Sequence, residues 1–301
     1  MKVNIPHIFT RDFPYLEKVT FFRKVLYAFM LFTAITMLPI AQDLYGYYGL
    51  VGTRGFDLSV PIYEQGTYAL INVLNHPANS IYTWVFLVFV IGQLFFLITG
   101  LLNIWPRLSG VMVFFFTINL VLKGYIAMTG GEMLSCFLLF YLMFIHKPKS
   151  QGFFGELQNI LNNAFYWILL IQVCILYFYS GFYKLYDEHW LDGHAIQYVV
   201  MIDEYGSWLT IPFERSYILS AIATYLTLAY QLLFPVLVWV KKVKVPYLIF
   251  GTLFHLLIAF GMGIFTFGII MIICYLLFLD MEQINAIKAK LRRRKTVTDN
   301  A

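Results

Sequence analysis

Charge is what this sequence has least of. Of 301 residues only 12% are Asp, Glu, Lys or Arg, where an ordinary soluble domain carries about 25%. Hydrophobic residues make up 60% of the chain, and the mean hydropathy is +0.74. So few polar groups cannot cover a soluble surface of this size, and contiguous apolar patches would aggregate. Soluble globular, disordered and fibrous classes are excluded, which leaves a polytopic membrane protein. Period-two alternation is also missing: the apolar runs are continuous, which argues against a transmembrane barrel. Cysteine is scarce. Cys136, Cys174 and Cys274 all fall inside apolar runs with no CxxC spacing, so neither a disulfide framework nor a metal site follows, and they read as small apolar residues. The first apolar run ends Leu38-Pro-Ile-Ala-Gln42 with no Ala-x-Ala site, and at about 17 residues it exceeds a typical signal-peptide core, so a cleaved signal peptide is disfavoured. Internal repeats and paired broken helices are lacking, which ranks a transporter or channel last.

What is present is a series of apolar segments. A span needs about 20 residues to cross ~30 Å of hydrocarbon. Eight segments fit, approximately over 22–41, 81–102, 108–128, 133–146, 163–184, 216–240, 245–261 and 264–280. The expected fold is an all-α transmembrane bundle of about eight spans, with both termini cytoplasmic. Seven spans is the alternative, because the last two share one apolar stretch divided only by Gly261-Met262-Gly263, a tight turn or a kink. Sorting charge by side favours eight. With the N-terminus inside, 17 of the 21 Lys+Arg fall inside, and only Arg54, Lys123, Lys184 and Arg215 fall outside. That bias is the positive-inside pattern, and an odd count would expose the basic tail Lys288 to Lys295. Acidic residues lean outward, 10 of 16. The net charge of +5 then reflects topology and attraction to anionic lipid, with no nucleic-acid partner implied. The chain divides into a cytoplasmic segment 1–21, a membrane domain 22–280 and a basic cytoplasmic tail 281–301. The two long loops, 42–80 and 185–215, are both placed outside, so an elaborate site should open outward.

Ionisable or polar residues inside spans are costly and mark bundle interiors. At the end of the fifth segment, Tyr177, Ser180, Gly181 and Lys184 fall at i, i+3, i+4 and i+7 on one helical face. The small pair Ser180 and Gly181 admits a close neighbour, and Lys184 ends the stripe. A span-terminal lysine is also placed to snorkel toward the interface. His255 lies about ten residues into the seventh segment, near the midplane at ~1.5 Å per residue. A structural hydrogen bond between helices and a chemical role both remain open for it. Asn119 and Lys123 form an i,i+4 pair late in the third segment, followed by Thr129-Gly-Gly-Glu132. Lys123 with Glu132 suits a buried ion pair or a wet cavity mouth. Gln93, Gln172 and Gln231 read as interhelical hydrogen-bonding groups. In the outer loop Trp190-Leu-Asp-Gly-His194, Gly193 suits a turn, and Ile196, Val199 and Val200 suit a short helix lying on the membrane surface. Asp187, Glu188, His189, Asp192 and His194 crowd there without a recognised ligand pattern. A solvated loop is favoured and no metal is assigned.

The run Gln172-Val-Cys-Ile-Leu-Tyr-Phe-Tyr-Ser-Gly-Phe-Tyr-Lys184-Leu, with Trp190-Leu-Asp-Gly193 after it, resembles a signature of the vitamin K-dependent gamma-carboxylase superfamily. Its bacterial members are the horizontally transferred transmembrane (HTTM) proteins. Further blocks follow in family order over roughly residues 20–280: Phe22-Arg23, Gly131-Glu132, Phe234-Pro235, His255, Gly263-Ile-Phe-Thr-Phe-Gly268 and Tyr275-Leu-Leu-Phe278. The resemblance implies catalytic roles for Lys184, as a base linked to oxygenation of a reduced quinone (vitamin K-like hydroquinone), and for His255 in the same chamber. Tyr177, Ser180, Gly181, Trp190, Asn119, Lys123 and Glu132 are the candidate chamber residues. An apolar aromatic chamber would admit a lipid-soluble quinone and exclude water. The chain departs from the animal carboxylase at Thr129-Gly-Gly-Glu132, where that enzyme has a histidine. The large extramembrane domain that grips the carboxylase's precursors is expected to be absent.

The expectation is therefore a quinone-linked, lysine-based carboxylase- or epoxidase-like enzyme in a bacterial inner membrane, acting on a secreted peptide or a lipid at the outer face. The alternative is a non-enzymatic accessory for maturation or export of a secreted peptide, since some relatives resemble a family that matures an exported peptide toxin.

Overall fold

The computed structural model describes residues 12–46, 49, 70, 84–148, 152–287 and 289. Eight apolar helices appear in chain order: α1 Leu16–Met37, α2 Val85–Leu101, α3 Pro106–Lys123, α4 Gly130–Leu142, α5 Phe153–Lys184, α6 Tyr217–Leu237, α7 Lys241–Leu256 and α8 Phe265–Cys274. No strand occurs among the described residues. Five stretches are long and apolar enough to cross a membrane: Leu16–Tyr45, Pro106–Lys123, Phe153–Lys184, Tyr217–Leu237 and Lys241–Gly261. Three are shorter: Val85–Leu101, Gly130–Leu142 and Phe265–Leu277. At ~1.5 Å per residue, a 13-residue helix such as α4 rises about 20 Å, less than the ~30 Å of hydrocarbon. The chain is a multi-pass helical membrane protein.

Local chemistry sets several helix ends. Pro106 occupies the first turn of α3, where its missing N–H costs nothing. Thr129 and Glu132 form a reciprocal capping box at α4. Ser216 caps α6 by accepting from the Leu219 amide. α5 starts at Phe153 rather than at 163, because its first turns carry Gln158, Asn159, Asn162 and Asn163. Apolarity alone misses these turns, whose amides bond to one another and to the Phe144 and His146 backbone.

Two compact units divide the chain: residues 1–16 with 23–166, and residues 17–22 with 167–301. In the first, the core is apolar and aromatic, built from Leu44, Tyr45, Phe86, Phe89, Phe116 and Leu120 among others. Polar groups there are stitched in pairs. Gln93 Nε2 donates to Thr117 Oγ1 at 2.9 Å, an α2–α3 bond of the kind expected. Thr99 and Ser109 hydroxyls meet at 2.9 Å. The Arg23 guanidinium donates to the carbonyls of Leu142 and Ile145, closing the C-terminal end of α4.

In the second unit, α7 runs into a π-helical turn, Leu257–Gly261. Gly263 follows in the left-handed region at φ 72°, and α8 folds back. Gly268 lies against the carbonyl of His255 and against Ala259, Tyr275 reaches Gly251, and Asp280 pairs with Lys244 at 2.8 Å. The two helices are therefore an antiparallel hairpin, and Gly261-Met262-Gly263 is a turn rather than a kink. Lys18 Nζ donates to the carbonyls of Leu277 and Leu279 at 2.8 and 3.0 Å, a favourable charge at a helix C-terminus. Most of the loop 42–80, the first eleven residues and nearly all of the basic tail lie outside the described residues.

Candidate functional site

Four polar side chains from four helices converge in the second unit. Tyr177 comes from α5, Tyr230 from α6, His255 from α7, and Tyr275 from the turn that continues α8. All four are buried. Tyr177 Oη lies 2.7 Å from His255 Nε2 and 2.6 Å from Tyr275 Oη, and Tyr275 Oη lies 2.8 Å from Tyr230 Oη. His255 Nδ1 is buried with no hydrogen-bond partner. A buried group in that state costs about 1–3 kcal/mol, so the arrangement is not one that packing alone would select.

The walls are aromatic. Phe234 stacks on Tyr177 with centroids 3.9 Å apart, and Phe254 and Phe267 stand at 5.1 and 5.7 Å from the imidazole. Gly251 makes the convergence possible: a Cβ there would collide with the hydroxyls of both Tyr230 and Tyr275. Gly181 plays the matching part on α5, where a Cβ would meet Gln231 and Leu232 at 3.0 Å. The expectation that Ser180 and Gly181 admit a close neighbour thus holds at Gly181.

Lys184 sits at the other end of the α5 stripe, seven residues or about 10 Å along the helix from Tyr177. Its ammonium donates to Ser180 Oγ at 2.8 Å and to the Ser180 carbonyl at 3.2 Å, and lies 4.9 Å from the Trp190 ring centroid. Such a cation–π contact contributes about 0.5–1 kcal/mol at a half-exposed site. Lys184, Ser180 and Trp190 are thus brought together, as are Tyr177 and His255. No hydrogen bond or ion pair joins the two groups among the described residues.

The segment after Lys184 folds into three short helices, Glu188–Leu191, Ala195–Val200 and Ile211–Arg215, where only one was expected. They are sewn to one face of α6. Tyr217 donates to the Asp192 carbonyl at 3.0 Å, Thr224 to the Gly193 carbonyl at 3.2 Å, and Tyr225 to the Leu191 carbonyl at 2.9 Å. Ser220 Oγ accepts from the Gln197 amide at 2.7 Å. Gly193, at φ 84° with Ala221 Cβ only 3.0 Å from a built Cβ, is the turn expected there. Asp192 accepts the His194 amide at 2.9 Å, and His194 Nδ1 lies 3.0 Å away. That amide, and then the imidazoles of His194 and His189, hold its carboxyl below the usual range. No group of three or more His, Cys, Asp or Glu fit to hold a metal occurs among the described residues.

Two expected polar pairings do not occur among the described residues. Glu132 does not pair with Lys123: its carboxylate accepts the Thr129 amide at 2.8 Å and hydroxyl at 2.6 Å. A glutamate three residues after a threonine satisfies the start of the helix in whose first turn it lies. Gln231 was expected to bond between helices, yet its Oε1 has no partner, because Gly181 opposite offers no side chain. Asn119 accepts the Leu70 amide at 2.8 Å and donates to the Phe115 carbonyl at 2.9 Å. Asn119, Lys123 and Glu132 belong to the first unit, and the residues above to the second.

Tyr230 and, beyond its place in a block of the family resemblance, Tyr275 were not singled out by sequence reasoning, nor was Gly251. A tyrosine in mid-span is the signal that marks the first two, but it is diluted among 22 tyrosines. Between α6 and α7 runs an apolar groove of about 440 Å³, lined by Ile222, Leu226, Leu253, Phe254 and Leu257 among others. Phe254 is thus shared between the groove and the imidazole's surroundings.

No family model matches this chain, and no solved structure matches it. Two curated proteins of Bacillus subtilis (strain 168) are similar to it. Uncharacterized protein YitO is 29% identical over 181 residues, covering 55% of this chain and 58% of that protein. Sporulation-delaying protein SdpB is 26% identical over 205 residues, covering 63% of each. The chain matches about three fifths of the length of these relatives.

Proposed function

We propose that the chain crosses a bacterial inner membrane eight times with both ends cytoplasmic. We further propose that it belongs to the carboxylase-like HTTM superfamily, and that α5–α8 form a chamber for a lipid-soluble, quinone-like cofactor. The α7–α8 hairpin supports the even span count, since it returns Asp280 to Lys244, the end where positive charge gathers.

The observation that carries the chamber reading is the unpartnered, buried His255 Nδ1 inside an aromatic wall. A donor in that setting fits a quinone or quinol oxygen, and the rings of Phe234, Phe254 and Phe267 fit its planar head. A reduced quinone, when bound, supplies reducing equivalents and an ionisable oxygen. The chain's own residues do the rest. His255 orients the head, the aromatic wall excludes water, and Lys184, with its lone pair free when neutral, accepts a proton at Nζ. The substrate is a secreted peptide or a lipid at the extracytoplasmic face.

A second reading, a non-enzymatic accessory for maturation or export of a secreted peptide, is favoured by the similarity to Sporulation-delaying protein SdpB. Complementation of a deletion strain separates the two. For the enzyme, Lys184→Ala abolishes complementation at unchanged membrane level. Full complementation by Lys184→Ala removes the enzyme reading. If that variant works while replacing residues 185–215 destroys function, the accessory reading stands.

A further inference from the structure

The hydrogen-bond chain has a direction. Each phenol carries one proton and a neutral imidazole carries one, so the three bonds in series can form in four ways. In the first, Tyr230 donates to Tyr275, Tyr275 to Tyr177, and Tyr177 to His255 Nε2, over the distances of 2.8, 2.6 and 2.7 Å. A neutral imidazole that accepts at Nε2 carries its proton on Nδ1. The only polar hydrogen left without an acceptor is then Nδ1–H. In the other three the imidazole donates at Nε2, with Tyr177 accepting twice, Tyr275 accepting twice, or every arrow reversed. Each of these leaves two buried groups unpaired, the Nδ1 lone pair and one phenolic hydrogen, that of Tyr177, of Tyr275 or of Tyr230, whose Oη meets only Tyr275 within hydrogen-bond distance among the described residues. Fewer orphans win in a low-dielectric interior, where each is costly.

We infer that Tyr177, Tyr275 and Tyr230 act as positioning residues that lock His255 in its Nδ1-protonated form, so that Nδ1–H is presented as a donor to an oxygen acceptor of a lipid-soluble ligand. Three features support a ligand rather than a purely structural role. The orphan is a donor, which an oxygen of a carbonyl or phenol satisfies. The chain is drawn from four separate helices and ends on that one atom. Phe254 flanks the imidazole at 5.1 Å and also lines the apolar groove, so an apolar tail in the groove would lie one ring away from the donor. The ligand's class rests on the chamber reading above, whereas the direction of the chain does not.

The test is ¹⁵N NMR of the full chain in lipid nanodiscs with labelled histidine, His255 being assigned by the signal lost in His255→Asn. The expected result is a protonated Nδ1 and a bare, hydrogen-bonded Nε2. Tyr177→Phe and Tyr275→Phe, which keep the ring packing, should convert this to a mixture of tautomers. 2-Methyl-1,4-naphthoquinone should shift the Nδ1 signal of the unmodified chain, with that shift lost in Tyr177→Phe. A protonated Nε2 overturns the inference. A protonated Nδ1 that the naphthoquinone leaves unmoved refutes the ligand assignment. Neither outcome bears on Lys184→Ala complementation, so failure here and failure of the enzyme reading are distinguishable.

Discussion

Two histidines are buried among the described residues, His146 at 6% and His255 at 2% exposure, and they are held in opposite ways. His146 is fixed through its backbone: its amide donates to Asn162 Oδ1 and its carbonyl accepts Asn162 Nδ2, both at 2.9 Å. Its ring adds a bond with the Met143 carbonyl at 3.0 Å. His255 is held through its ring alone, by a chain of phenols, and one ring nitrogen is left over. The first arrangement terminates a helix and closes on itself. The second gathers side chains from four helices and ends in an unused donor. Burial alone therefore does not separate a structural histidine from a functional one. What separates them is whether the hydrogen-bond inventory closes.

The largest expected effect breaks the comparison directly. Asn162→Ala strips two buried backbone groups of their partner, at about 1–3 kcal/mol each, and should lower the thermal midpoint of the detergent-solubilised protein by several degrees. His255→Phe removes the orphan nitrogen along with the ring's single bond, so its midpoint should change much less while function is lost. If both variants melt equally early, His255 is structural after all. Next comes Gly251→Ala. Helix propensity gains up to about 1 kcal/mol, but the new methyl drives into the Tyr230 and Tyr275 hydroxyls, and overpacking costs about 1–3 kcal/mol. A modest net destabilisation is expected, together with the mixed His255 tautomers expected for Tyr275→Phe. A stable variant with an intact tautomer would show that the chain does not need that close approach.

The smallest effect concerns exposed His189 and half-buried His194. Asp192 between them has its carboxyl held below its ordinary 3.8, chiefly by the His194 amide. A depressed acid stabilises the fold above its unfolded pKa, and that contribution fades as pH falls through the folded value. The cap after Lys184 should therefore loosen only on the acid limb, below about pH 4. Asp192→Asn should flatten that limb in melting curves taken against pH and leave neutral pH untouched. An unchanged acid limb would show that the carboxylate does not order the turn.

Much of the architecture was legible in the chain. Each of the eight continuous apolar runs holds a helix, and among the described residues five of these are long and apolar enough to cross a membrane, because a helix in lipid satisfies its backbone internally and shows its apolarity residue by residue. Gly193 and Gly263 were legible as turns, since each occupies a left-handed conformation that other residues resist. The α5 stripe was legible in part: Tyr177 and Lys184 share a face, yet they lie in separate contacts, one bonded to His255 and the other to Ser180 and Trp190.

The sequence by itself determined the class, the helices and the three ionisable residues out of place, Lys123, Lys184 and His255. These follow from local composition and a 3.6-residue period, which need no partner to be read. Only the tertiary structure decided that Gln231 faces a glycine, and that Tyr177, Tyr230 and Tyr275 meet at His255. Those outcomes depend on which faces of distant helices touch, and on the absence of a single Cβ at Gly251. A hydrogen bond exists only where donor and acceptor come within about 3 Å, and nothing local in a chain records that distance between residues 98 positions apart.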